Sequence, residues 1–115
     1  MSRVYKIVAR QAWDAARAAG RFEGAAIDLQ DGYIHLSTAA QAQDTADRHF
    51  RGQADLVTVA FEAEAFGDAL KWEPSRGGQL FPHLYGVIDP ALALAVTAAP
   101  LGADGAPRLG ELTWP

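Results

Sequence analysis

The sequence contains no cysteine, which excludes a disulfide, a thiolate nucleophile and any cysteine-held zinc or iron–sulfur site. Lysine is almost as scarce, with Lys6 and Lys71 alone. The 10 Lys+Arg stand against 14 Asp+Glu, a formal charge of −4. Such a chain lacks the basic field that nucleic-acid binding needs. Nor is there a run of about 18 apolar residues to span a membrane; the alanine-rich stretch from Pro90 to Leu101 is interrupted by Thr97. Met1-Ser2-Arg3-Val4-Tyr5-Lys6 has no apolar core of signal-peptide length, so the expected compartment is the cytoplasm. What is present is globular: 50% of residues are hydrophobic and 21% charged. No repeat or Gly/Ser-rich linker divides the 115 residues, and one domain over 1–115 is expected.

Local patterns alternate between strand and helix. Val4 to Val8 is β-branched and aromatic and reads as a first strand. Gln11 to Ala19 reads as a helix, with Gly20 placed for a left-handed C-cap. Residues 21–32 read as irregular, ending in a turn at Asp31-Gly32 that feeds a strand over Tyr33–Ser37. Thr38-Ala39-Ala40-Gln41 has capping-box spacing and opens a helix to about Phe50. Leu56 to Phe61 is apolar at both parities, the mark of a central strand. Further strands are expected at Leu70–Glu73, near Phe81–Gly86 and at Leu92–Ala98, with a turn at Asp104-Gly105. Two substantial helices against five or six strands favour α+β with a largely antiparallel sheet.

Three segments concentrate polar groups among apolar neighbours. In Tyr33-Ile34-His35-Leu36-Ser37-Thr38, alternation sends Ile34 and Leu36 to the core and leaves Tyr33, His35 and Ser37 on the other face. That strand runs into a helix N-terminus, whose free N–H groups attract an anion. Taken alone, capping by Ser37 and Thr38 and a satisfied histidine explain the same residues. In Phe81-Pro82-His83-Leu84-Tyr85-Gly86, His83 and Tyr85 share a face able to stack on a planar ligand, or simply to half-bury two amphipathic rings. Trp72-Glu73-Pro74-Ser75-Arg76-Gly77-Gly78 sets a carboxylate before a glycine loop carrying an arginine, which suits a lid or an ordinary turn. Neither a dinucleotide fingerprint nor a P-loop is present. His35, His49 and His83 lack metal-ligand spacing, so no metal site is expected, and no nucleophile elbow surrounds Ser37.

Taken in order, these segments resemble the small bacterial family known as domain of unknown function 952, from about Arg3 to Ala98. The most specific pieces are Gly32-Tyr33-Ile34-His35-Leu36-Ser37-Thr38 and Phe81-Pro82-His83-Leu84-Tyr85-Gly86. The family is grouped by remote similarity with ADP-ribosyltransferase-like folds, which include an RNA 2′-phosphotransferase branch. The resemblance implies a single α+β domain whose curved, largely antiparallel sheet forms a split barrel, with two main helices and a cleft for NAD. It implies catalytic roles for His35, Glu73 and His83, and ligand contacts from Lys6, Ser37, Thr38, Arg76 and Tyr85. Many relatives carry histidine where this chain has Lys6; a lysine can neutralise phosphate but cannot accept a ribose proton as imidazole does. The expected ligand is a nucleotide or related phosphorylated metabolite, with NAD as candidate cofactor for ADP-ribosyl transfer. The alternative is a non-catalytic ligand-binding or protein-interaction module on the same fold.

Overall fold

The structure, a computed structural model, describes residues 2–110 and 112. Strand β1 (Arg3–Ala9) passes without a cap into helix α1 (Arg10–Ala19), which stops at Gly20 with φ of 81°. The missing Cβ permits that left-handed turn, and the Gly20 N–H returns to the Ala16 carbonyl. A short helix α2 (Ala26–Asp31) follows where the sequence reads as irregular; six residues are too few to show a helical period. Then come β2 (Ile34–His35), α3 (Ala39–His49), β3 (Leu56–Glu62), β4 (Leu70–Pro74), β5 (Leu80–Leu84) and β6 (Ala95–Ala99). Single 3-10 segments lie at Ala63–Ala69, Arg76–Gly78 and Pro90–Leu92. The last of these shortens the strand expected from Leu92, because Asp89 caps it and Pro90 starts its first turn.

The strands form two antiparallel three-stranded sheets, β1-β3-β6 and β2-β5-β4. The two meet where Tyr5 and Ser37 exchange backbone hydrogen bonds of 2.8 and 3.0 Å. β3 is central in its sheet and is covered on both faces, as its uniform hydrophobicity requires. On one face Val57, Val59 and Phe61 join Val4, Val8 and Trp13 of α1, together with Ile34 and Leu84 of the second sheet. On the other, Ile7 and Leu56 pack against Ala42 and Ala46 of α3. The alanine stripe of α3 thus lets the helix lie close, while Trp13, fully buried and edge-on to Phe61, fills the larger core. Among the described residues no helix is long and apolar enough to cross a membrane.

Candidate functional site

Antiparallel register builds the site. His35 of β2 lies directly opposite His83 of β5, and Glu73 of β4 lies opposite Phe81, two residues from His83 on the same face. The pleat sends Ile34 and Leu84 inward, so the two imidazoles meet on the opposite face with ring centroids 5.7 Å apart. Tyr33 covers them, stacked on His83 at 4.1 Å and tilted against His35 at 4.6 Å. His83 Nδ1 donates to Glu73 Oε1 at 2.8 Å, and the Tyr85 hydroxyl donates to the same oxygen at 2.8 Å. These two bonds hold the Glu73 carboxyl below the usual carboxylate range and push the Tyr85 phenol up. A carboxylate only accepts, so the bond fixes the proton on His83 Nδ1 and leaves Nε2 for another partner.

His35 is held from both sides. Its Nδ1 lies 2.6 Å from Asp28 Oδ1 and its Nε2 lies 2.9 Å from Asp31 Oδ2. Two ionised carboxylates are satisfied together only when both ring nitrogens carry protons. Asp28 is the hub of this arrangement. It also accepts from the backbone N–H groups of His35 and Ala25, and from Lys6 Nζ at 2.8 Å. Burial alone would raise the pKa of Asp28, but hydrogen bonds from His35 and the charge of Lys6 outweigh it and hold the carboxyl far below its ordinary range. Burial conversely lowers the pKa of Lys6, against the pull of Asp28. Gly24 gives the hub its room: at φ of 121°, a Cβ there would stand 2.8 Å from that of Asp28.

A cavity of about 550 Å³ opens beside these groups. His35, His83, Ser37 and Lys6 line it together with Tyr33 and Asp31, so residues from β1, β2, β5 and the end of α2 converge on one space. Tyr85 and Glu73 attach to it through His83. Three expectations need correction or restriction. Lys6 is no exposed cation at the cleft edge: it is buried, with its ammonium given to Asp28 and to the His35 carbonyl. Thr38 lies outside the cavity wall, its hydroxyl accepting from the Gln41 N–H as the N-cap of α3 while Gln41 Oε1 accepts from the Thr38 N–H. The helix tip expected to hold an anion thus spends two donors on its own capping box. Arg76 has its backbone in the 3-10 segment, but its side chain lies outside the described residues. Ser37 is buried and shares a hydrogen bond of 3.2 Å with Thr45.

Asp28 and Asp31 escape sequence reading. They sit in the segment that shows no period, and their distance from Lys6 and His35 closes only in three dimensions. Tyr33 was legible as a neighbour of His35 by alternation, though its stack on His83 depends on strand register. Among the described residues no group of three or more acidic or histidine side chains is set to hold a metal ion.

Comparison with solved structures finds close likeness throughout the chain. The crystal structure of CC0527 from Caulobacter crescentus, a structural-genomics target, is 55% identical with a TM-score of 0.92, covering 95% of this chain and 96% of that one. A crystal structure of its double mutant matches equally well. The solution structure of CC0527 superposes with a TM-score of 0.85 over 96% of this chain and 95% of that one. No functionally curated protein is significantly similar. A family model matches residues 7–98, including both histidine-bearing strands and the central strand β3. The chain therefore belongs to the family described as protein of unknown function (DUF952).

Proposed function

We propose that the cavity binds a nucleotide or related phosphorylated metabolite, and that its two imidazoles move protons during transfer of a group on that ligand. One observation carries this reading: two histidines, each backed by a carboxylate, face each other beneath an aromatic ring on a cavity of small-molecule size. A carboxylate behind an imidazole fixes its tautomer and steadies its charged form, which is what a general acid or base requires. Tyr33 offers a flat face for a nucleobase or nicotinamide ring. NAD is the first cofactor to try, with ADP-ribosyl transfer as the reaction and Glu73 at the acidic position. Its Oε1 already accepts from His83 and Tyr85, which favours a role through His83 over direct contact with a ribosyl cation.

A second reading has its own support. Asp31 satisfies His35 Nε2 internally, an arrangement suited to a module that binds without turnover. A thermal-shift panel of NAD, ADP-ribose, nucleoside monophosphates and inorganic phosphate separates the two. Ligand at about a hundredfold over its dissociation constant adds roughly 2.7 kcal/mol, a shift of several degrees. Stabilisation with turnover that His35→Ala and Glu73→Gln abolish supports the enzyme. Stabilisation without turnover supports the ligand-binding module, and flat curves throughout refute a nucleotide site and favour a protein-interaction module.

A further inference from the structure

We infer that the outer edge of β6 is a self-association surface, on which a second copy of this chain adds its own β6 antiparallel about a two-fold axis at Thr97. This surface lies apart from the cavity, and nothing in it depends on a ligand there. The Tyr5–Ser37 bridge joins β1 to β2, which leaves β4 and β6 as the outer strands of the two joined sheets. An outer strand offers a row of unpaired peptide groups to any other strand, and charge or proline normally blunts it. β4 is blunted in this way, since Lys71, Glu73 and Pro74 lie within it. β6, Ala95-Val96-Thr97-Ala98-Ala99, has neither charge nor proline, and no charged residue occurs from Pro90 to Ala103. Ala95, Val96, Thr97 and Ala98 are all exposed, and Leu94 and Val96 are each 46% exposed.

Register decides which peptide groups are on offer. Tyr5 exchanges both its backbone groups with Ser37, away from β3. Val4, Lys6 and Val8 are therefore the β1 residues that bond β3, through Phe61, Val59 and Val57. Leu56, Thr58 and Ala60 turn the other way, to β6, as the Ala60 carbonyl does in accepting from the Leu94 N–H at 2.8 Å. Their partners Ala99, Thr97 and Ala95 turn inward, so Val96 and Ala98 turn their N–H and C=O outward. A two-fold axis at Thr97 sets Val96 of one copy opposite Ala98 of the other, and each such pair exchanges both hydrogen bonds. The larger side chain thereby meets the smaller on either side of the axis. Charge selects this occupant. Copies of a chain with formal charge −4 repel one another overall, and they approach at least cost along a face that carries no charge. β3 and β1 separate β6 from the Tyr5–Ser37 seam, so the cavity stays open in the pair.

The test measures the mass of the full chain by sedimentation equilibrium between about 1 μM and about 1 mM. Expected is a rise from 12.3 kDa toward twice that value as concentration increases. Thr97→Lys opposes two ammonium groups at the axis, and Val96→Pro removes an outward N–H that an edge strand can spare. Each should hold the chain at 12.3 kDa with circular dichroism unchanged. Should Val96→Pro misfold, Thr97→Lys decides, since that side chain is exposed. The chain has no cysteine, so Thr97→Cys reports the register. Across the axis the two Cα atoms would stand about 4.5 Å apart, within the span a disulfide bridges. At Ala95 they would stand about 13 Å apart, which makes Ala95→Cys the control. Diamide should link Thr97→Cys copies covalently and leave Ala95→Cys copies single. Equal linking of both overturns the proposal, as chance collision. A dimer that survives Thr97→Lys and Val96→Pro overturns it in favour of another face. A mass of 12.3 kDa at every concentration overturns it and leaves β6 to a strand of different sequence.

Discussion

At the scale of single residues, the Lys6–Asp28 pair is the most consequential contact in the protein. Both side chains are almost wholly buried, and Asp28 also fixes the His35 ring. Asp28→Asn leaves Lys6 as an uncompensated buried charge and should cost about 3–5 kcal/mol, whereas Lys6→Met leaves Asp28 still bonded to His35 and should cost less. In urea denaturation the double variant should lose well under the sum, which gives the coupling directly. Simple addition of the two losses would show that the pair does not interact as drawn. Acid tests the same hub. Asp28 and Glu73 both have folded-state pKa values below their ordinary ones. Their contribution is therefore complete above the unfolded carboxylate range of about 4, and drains away as pH falls through the lower folded values. The wild-type urea midpoint should drop steadily on acidification from pH 5 to pH 2. Asp28→Asn should start lower at neutral pH and fall less. The importance of Lys6 was legible in the sequence as a departure on the first strand, but its partner was not: Asp28 is 22 residues away and carries no motif.

Among the elements, α3 shows where pattern suffices. Thr38 and Gln41 satisfy each other's backbone N–H groups as their spacing requires, and the alanine stripe at 42 and 46 is the buried one. The same success withdraws Thr38 from the ligand-binding set. Thr38→Ala should cost about 1 kcal/mol in chemical denaturation and leave ligand-induced thermal shifts intact; a lost shift would return the hydroxyl to the site. α2 shows the opposite case. Its fold depends on Asp28 accepting from the Ala25 N–H at 2.8 Å and on left-handed glycines on either side, a local device with too few residues to register as periodicity. The strand pair β2–β5 lies between these cases. Alternation gave the correct face for His35 and His83, whereas their position directly opposite one another is a matter of register.

Over the whole molecule, the sheet β1-β3-β6 is the layer both cores share, which makes its few polar positions informative. Thr58, in the middle of β3, is buried, and its hydroxyl has no hydrogen-bond partner among the described residues. An unsatisfied buried hydroxyl costs about 1–3 kcal/mol. Thr58→Val should consequently raise the melting temperature by several degrees, as differential scanning calorimetry would record. A fall would mean that the hydroxyl has a bonded partner in solution. The two-sheet arrangement also explains why the site sits where it does. The sheets join at the Tyr5–Ser37 bridge, and the cavity opens beside that seam. There β1 and β2 bring Lys6 and His35 together on one wall.

The sequence by itself determined the class of fold, the central place of β3, the C-cap of α1, the N-cap of α3, and which strand faces carry histidine. Each of these follows from interactions within a few residues, or from the two-residue alternation of a strand. Only the tertiary structure decided that His35 and His83 oppose one another, that Tyr33 roofs them, that Lys6 is buried rather than presented to a ligand, and that two aspartates bracket one imidazole. The reason is physical: register and buried ion pairs are set by which distant segments best exclude water together, and that competition leaves no periodic trace along the chain.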